Sequence, residues 1–260
     1  PDDLGAGQDR ETYEKQFGEF EGKAPPVIQR IIDTRAMPTN DEELGTLYNF
    51  IALQFVRTPS ARRLVAGPRE QEARIIIDLL ENDRSLYESE MRRSGGDLNE
   101  FPFERIQGTT GMYEPRLTTE GFIEGAMAMM DAMLHYLHQR TWTVLVSERP
   151  GESFVVSDHP VVLEWSDPRG KRFAPGHAHI DTELTFPLSA CVALIGGYTP
   201  FDMDSRNMPA YVSGVNSRTI DRARVFIAAC EDRFILQNSG ETITSAQFIA
   251  ELEADAQRSR

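Results

Sequence analysis

The sequence predicts an α+β protein in which an N-terminal helical layer packs on a mainly antiparallel β-sheet built by the C-terminal half. Up to about residue 140, apolar residues recur with the spacing of amphipathic helices. From Thr141 onward, short segments rich in β-branched and aromatic residues follow one another. Helices first and strands later favour α+β over a doubly wound parallel fold, in which the two alternate.

Three helices are predicted in the first half. The first begins after Asn40, which forms a capping-box pattern with Glu43, and ends at Arg57, because Pro59 disfavours its continuation. Apolar residues lie on nearly every side of this helix, which is typical of a helix buried within a layer. The other two helices are predicted over residues 70–91 and 118–140.

Six strands are predicted in the second half, over residues 141–146, 153–156, 161–165, 183–188, 191–195 and 224–229. Residues 149–152 read Arg-Pro-Gly-Glu, the composition of a turn, so the first two strands are expected to form an antiparallel hairpin. A short helix is predicted over 216–223 and a last one over about 241–256. The interpretation is one domain over 1–260, with a helical part over about 1–140 and a sheet part over about 141–236.

The net charge of the chain bears on which classes of molecule it can bind. The formal charge of −14 argues against general binding of nucleic acid or of anionic membranes, although a local basic site stays open. Only Lys15, Lys23 and Lys171 are lysines, and none lies in a Gly-rich phosphate-binding loop. The Gly-x-Gly-x-x-Gly and Gly-x-Ser-x-Gly patterns of dinucleotide-binding proteins and esterases do not occur either.

The expected location is the cytoplasm. No apolar run reaches the roughly 18 residues of a membrane span, and the first residues lack the pattern of a signal peptide. The two cysteines, Cys191 and Cys230, lie in predicted strands, where buried thiols are expected rather than a disulfide.

The most suggestive polar cluster is Ser157-Asp158-His159, which ends a predicted strand. Asp158 and His159 are the candidate catalytic residues, because an imidazole can act as acid or base near neutral pH. The three cannot form a Ser-His-Asp triad, because adjacent residues of a strand point to opposite faces. A structural turn, with Ser and Asp bonded to nearby backbone, is the competing and favoured interpretation.

Arg57, Ser157 and Asn216 are the candidate ligand-binding residues. Arg57 ends a helix predicted to be buried, so its guanidinium requires a carboxylate or a bound anion. Asp158 is the predicted partner, in an ion pair that ties helix to sheet. Asn216 has the alternative of capping its short helix.

No metal site is assigned, and the cofactor stays unknown. His177, His179 and Asp181 alternate, so an extended backbone would place them on one face, but the segment has loop composition. The third helix carries Glu124, Asp131, His135 and His138 on its polar side, where a solvated surface is the favoured interpretation.

Three segments together resemble a known family. They are residues 50–59 (Phe-Ile-Ala-Leu-Gln-Phe-Val-Arg-Thr-Pro), 153–161 (Ser-Phe-Val-Val-Ser-Asp-His-Pro-Val) and 184–189 (Leu-Thr-Phe-Pro-Leu-Ser). Their order and spacing resemble the bacterial domain-of-unknown-function 4238 family, with its Arg-x-Pro, Ser-Asp-x-Pro and Phe-Pro-Leu-Ser motifs. The resemblance spans most of residues 15–235. It implies a shared fold and carries no activity with it.

Three functions remain as hypotheses. The first is binding or processing of a small molecule or nucleotide in a cleft between helices and sheet. The second is a metal-dependent nuclease or toxin-like effector of a bacterial defence system, with Asp158 as a metal-binding carboxylate. The third is a non-enzymatic protein-interaction module. The partner is accordingly an unknown small molecule or protein, with no membrane involved.

Overall fold

The computed structural model describes residues 10–108, 114–148, 153–169, 171–203, 208–223, 225–227, 233–236 and 242–244. It confirms the α+β class. The helices are α1 (Arg10–Thr34), α2 (Asp41–Val56), α3 (Pro59–Asn82), α4 (Arg84–Arg93), α5 (Thr119–Gln139) and α6 (Met208–Arg222). The strands are β1 (Thr141–Val146), β2 (Val156–Ser157), β3 (Val162–Trp165), β4 (Thr182–Pro187), β5 (Val192–Gly197), β6 (Val225–Ile227), β7 (Arg233–Leu236) and β8 (Thr242–Thr244).

Contacts within the chain define two compact units. Unit 1 comprises Pro1–Thr58 and Met130–Arg260, and unit 2 comprises Pro59–Met129. The expectation of a single domain over the whole chain stays a prediction. No helix among the described residues has the length and apolar character needed to cross a bilayer.

Two antiparallel sheets lie in unit 1, with strand orders β1-β5-β4-β3 and β2-β6-β7-β8. The predicted hairpin between the first two strands is wrong, because β1 pairs with β5 and β2 pairs with β6. The turn at residues 149–152 lies outside the described residues. Just before β2, Phe154 N donates to Ala190 O at 2.8 Å, so this segment runs beside the entry to β5 instead of beside β1.

One face of the first sheet packs against α2. Tyr48 stacks on Trp142 with ring centroids 5.8 Å apart, and Phe50 lies 6.2 Å from Phe186. Gly196 is required here, because a Cβ at this position would come within 2.9 Å of the Trp142 ring. The buried helix α2 was predicted correctly, and the Asn40 side chain caps it by accepting from Glu43 N at 2.8 Å.

The opposite face packs against α6, which is longer than the predicted helix over 216–223. Its buried residues Val212, Val215 and Thr219 follow the three-to-four spacing of one helical face. With Leu145, Phe154, Ala193 and Ile195, the two valines form one buried apolar cluster. This face therefore joins α6 to the sheet and positions the polar groups described below.

Unit 2 contains α3, α4, a 3-10 helix over Phe103–Arg105 and the first part of α5. The predicted helix over 70–91 is two helices and starts earlier. The first begins at Pro59, since the first turn of a helix tolerates proline. The second begins after Asp83, whose carboxylate accepts from Leu86 N at 3.0 Å.

Two further expectations need correction or lie outside the described part. Residues 242–244 form β8, so the last helix does not begin at 241, and residues 245–260 lie outside the described ranges. Cys191 is an exposed free thiol immediately before β5 instead of a buried strand residue. Cys230 also lies outside the described ranges.

Candidate functional site

Two charged pairs connect α6 to the sheet. Arg218 Nη2 donates to Glu183 Oε2 at 2.7 Å, and Arg222 Nε donates to Glu164 Oε1 at 3.1 Å. The two glutamates are cross-strand partners on β3 and β4, and the two arginines are one helical turn apart. Neighbouring carboxylates on one sheet face repel each other unless cations meet them, and α6 supplies those cations.

A cleft of about 330 Å³ opens beside the Arg218–Glu183 pair. We call it the α6 cleft; the residues that define it here are Ser166, Glu183, Ile195, Tyr211, Gly214 and Arg218. A side chain at Gly214 would enter open space, so the glycine keeps this part of the helix surface clear. The side chains of Arg218 and Glu183 are only 23% and 20% exposed, which weakens the competition from water for their hydrogen bonds.

The Arg218–Glu183 pair uses only part of its hydrogen-bonding capacity. Among the described contacts, the guanidinium donates through Nη2 alone and the carboxylate accepts through Oε2 alone. An arginine carries five N–H donors in a planar fork, and a carboxylate can accept at both oxygens. The pair therefore offers unused donors and an unused acceptor side by side.

Two neighbouring hydroxyl groups add polar character on the same side. Thr185, two residues along β4 from Glu183, is fully buried, and its Oγ1 has no partner among the described residues. Burial, followed by the charges of Glu183 and Asp202, raises the pKa of Tyr211 above its usual value. The phenol of Tyr211 stays protonated across the neutral range, so it can donate a hydrogen bond.

The side chain of Asn216, a candidate ligand-binding residue, hydrogen-bonds to the backbone. Its Oδ1 accepts from Val155 N at 2.8 Å, and its Nδ2 donates to Ser153 O at 2.7 Å. The amide therefore binds the chain before β2 as a neighbouring peptide unit would. These contacts give Asn216 a structural role. It does not cap its helix, which was the alternative prediction, because α6 begins eight residues earlier at Met208.

The Ser157-Asp158-His159 segment forms a local turn. Ser157 Oγ accepts from His159 N at 3.0 Å, as the structural interpretation of this segment predicts. His159 is buried, and burial, followed by the charge of Arg222, lowers its pKa, while Asp158 opposes the shift. The imidazole is therefore neutral at pH 7. It lies next to the charged pairs of α6, and Asp158 itself is exposed.

Arg57 pairs with a carboxylate, as predicted, but its described partner is Glu21 and not Asp158. Its side chain is 43% exposed, and Glu21 lies on α1. Its described contacts include no ion pair with Asp158, and the Phe17 ring lies 5.8 Å from its guanidinium carbon. Because α2 ends at Val56, Arg57 lies just beyond the buried part of the helix, where water and a neighbouring helix reach it.

His177, His179 and Asp181 do not converge on a common point. The His177 ring packs edge-on against Phe55, the His179 ring stacks on Trp165, and Asp181 pairs with Lys171. Within the ranges that the structure describes, no three His, Cys, Asp or Glu side chains form a group suited to holding a metal ion.

The sequence also failed to indicate a buried arginine. Arg140 is 4% exposed and donates to Thr182 O at 2.9 Å, Gly196 O at 3.0 Å and Thr182 Oγ1 at 2.9 Å. Its guanidinium lies 4.6 Å from the centre of the Tyr198 ring. Carbonyl oxygens and an aromatic face contact the guanidinium directly, and burial lowers the pKa of Arg140, while Tyr198 and Glu183 oppose the shift.

The residues of the α6 cleft were missed for a similar reason. Glu183 and Arg218 are 35 residues apart in sequence, so no local motif contains both. The available signal was the spacing of Arg218 and Arg222, which places both on one side of a helix. It required the full length of α6 to be recognised.

Comparison with known proteins agrees with the resemblance seen in the motifs. No curated protein and no solved structure matches the chain. A family model described as "Protein of unknown function (DUF4238)" matches residues 2–237. The match covers most of the 260 residues and includes the candidate residues Arg57, Ser157, Asp158, His159 and Asn216, together with the α6 cleft. The chain therefore belongs to the DUF4238 family.

Proposed function

We propose that this protein binds a small polar molecule in the α6 cleft. The proposal rests on the ion pair of Arg218 and Glu183 at the edge of a cleft of about 330 Å³. In this pair, hydrogen-bond donors of the arginine and one oxygen of the glutamate have no partner among the described contacts. This volume is at the lower end of the range of ligand pockets, roughly 300–1,000 Å³. It suits a compact metabolite or a nucleoside-sized molecule.

The polar groups specify the chemistry of such a ligand. Unused donors of Arg218 select an anionic group or a carbonyl oxygen, and the unused oxygen of Glu183 selects an N–H or O–H group. The Tyr211 hydroxyl adds a second donor at the same cleft. The ligand therefore presents an acceptor and a donor close together, as amino acids, nucleobases and their phosphates do.

Thermal unfolding of the purified protein against a panel of amino acids, nucleosides and nucleotides tests this proposal. A ligand that binds only the folded state raises the melting temperature, with a stabilisation of about 2.7 kcal/mol at a hundredfold excess over its dissociation constant. The shift is expected to be lost in Arg218→Gln, which removes the charge, and in Gly214→Leu, which fills the cleft.

Arg169→Gln is the matched control, because Arg169 is 88% exposed and pairs only with Asp167 among the described residues. This variant should keep the full ligand-induced shift. A ligand that stabilises the wild type and the Gly214→Leu variant equally would place its binding elsewhere and contradict the proposal.

The two other hypotheses stay predictions. The nuclease hypothesis requires divalent-ion-dependent cleavage of RNA or DNA that is lost on Asp158→Ala. The interaction-module hypothesis has one supporting observation, which is that α3 exposes several large aliphatic side chains: Leu64, Ile75, Ile76 and Leu79.

A further inference from the structure

A second cleft, of about 530 Å³, lies entirely within unit 2. We call it the arginine cleft; the residues that define it here are Arg62, Arg63, Glu70, Glu114, Arg116 and Phe122. It runs between the first half of α3 and the start of α5. It shares no residue with the α6 cleft, so the two are independent features.

Close packing of α5 on α3 creates one wall of the arginine cleft. Gly125 touches Val65 so closely that any Cβ there would collide with the valine side chain. Arg69 Nη1 donates to Gly121 O at 2.9 Å, and Glu70 Oε1 accepts from Leu117 N at 3.2 Å. One carboxylate oxygen of Glu70 thus binds backbone, and the described contacts include no ion pair between Glu70 and an arginine of the cleft.

Two of the three arginines have no carboxylate partner among the described residues. The Arg62 guanidinium lies 4.8 Å from the centre of the Phe122 ring. Arg63 Nη2 reaches only Ser60 Oγ, at 3.5 Å, and Arg116 is the member that has an acid, Glu114, at 3.2 Å. The lining contains three arginines and two glutamates, Glu70 and Glu114, so its net charge is positive in a chain with 41 acidic and 27 basic residues.

The same cleft presents apolar surface next to these charges. Phe122 and Leu117 line it beside Arg62, and the guanidinium already rests on the aromatic face of Phe122. An inorganic ion would use the charges alone. A molecule with an acidic group and an apolar or aromatic body would use both surfaces.

We propose that the arginine cleft binds an organic anion, with its phosphate or carboxylate group against Arg62 and Arg63 and its apolar or aromatic body against Phe122 and Leu117. Arginine suits this task because its planar fork binds phosphate and carboxylate oxygens through two parallel hydrogen bonds. The site is separate from the α6 cleft and does not depend on the function proposed there.

Isothermal titration calorimetry on the whole chain tests the proposal with three probes: a nucleoside 5′-monophosphate, decanoate and inorganic phosphate. At least one organic probe should bind the wild type. Preference for the nucleotide would identify an aromatic phosphate as the ligand class, and preference for decanoate would identify an aliphatic carboxylate. Inorganic phosphate should bind at least tenfold more weakly than the preferred organic probe.

The double variant Arg62→Gln/Arg63→Gln should weaken the binding of that probe at least tenfold. Arg92→Gln/Arg93→Gln is the matched control, because it removes the same charge from two exposed arginines of α4 and should leave binding within twofold. Arg218→Gln should also leave this binding unchanged, which separates it from the α6 cleft. Equal weakening in both double variants, tight binding of inorganic phosphate, or no binding of any probe would overturn the proposal.

Discussion

At the residue scale, His177 is a partly buried histidine whose ring nitrogens have no hydrogen-bond partner among the described residues. Both ring nitrogens are inaccessible to water, and the ring lies against Phe55. Burial, followed by the charge of Arg140, lowers the pKa of His177 to about 4. Burial and, to a smaller extent, the neighbouring arginine thus keep this imidazole neutral.

The shift of His177 predicts a dependence of stability on pH. The unfolded chain takes up a proton at this histidine near pH 6.5, whereas the folded chain does so only near pH 4. Stability is therefore unaffected by this group above pH 6.5 and is lost as the pH falls from 6.5 to 4. The full loss corresponds to about 3 kcal/mol.

His177→Phe should remove this contribution. Urea unfolding of the wild type and the variant at pH 7 and pH 4.5 measures the change, and the variant should lose about 2–3 kcal/mol less between the two pH values. The exposed His135, changed to Phe, serves as the control and should follow the wild type. Parallel losses in wild type and His177→Phe would show that the imidazole is protonated in the folded state.

At the element scale, the sequence predicted strands better than their pairing. Residues 141–146 were predicted as a strand with the observed bounds, because β-branched and aromatic residues there leave little alternative. Their partner β5 is about 50 residues away, and the register Thr141↔Gly197 depends on packing on both sheet faces. Local turn composition favoured a hairpin that the tertiary structure does not form.

The candidate site could be predicted only in part for the same reason. The turn around Ser157 was recognised because its hydrogen bonds are local, whereas the partner of Arg57 was assigned to the wrong element. Polar residues whose partners lie 35 or more residues away, such as Arg218, give no local signal. The amide of Asn216 illustrates the difficulty, since its backbone contacts lie about 60 residues earlier.

Asn216→Leu should destabilise the attachment of α6 to the segment before β2. The substitution keeps the approximate volume but leaves Val155 N and Ser153 O without their partner, at an expected cost of about 2–4 kcal/mol for two unsatisfied groups. Urea unfolding at pH 7 measures the free energy of unfolding. Asn49→Leu is the control, because among the described residues the Asn49 amide hydrogen-bonds only to Gly45 O in its own helix. Equal effects at the two sites would contradict this role.

At the scale of the whole molecule, excess negative charge opposes compaction. The net charge is −14, and most ion pairs among the described residues, such as Arg92–Glu88, are exposed. Exposed pairs contribute little individually, about 0–1 kcal/mol, whereas the repulsion acts across the whole surface.

Raising the NaCl concentration from 20 to 300 mM should therefore raise the melting temperature at pH 7, since a shorter screening length weakens the repulsion among the excess negative charges. Differential scanning calorimetry at several salt concentrations measures the effect. A melting temperature that falls with salt would show that attractive pairs outweigh the net repulsion.

The positions of the two tryptophans decide which part of the molecule fluorescence reports on during unfolding. Both tryptophans of the chain, Trp142 and Trp165, lie in unit 1. The Trp142 indole donates a hydrogen bond to Leu137 O and stacks on Tyr48. Tryptophan emission therefore reports the loosening of unit 1 alone, while far-ultraviolet circular dichroism also follows the helices of unit 2. Transitions that coincide in the two signals would mean that the units melt as one cooperative body, and separated transitions would give each unit its own stability.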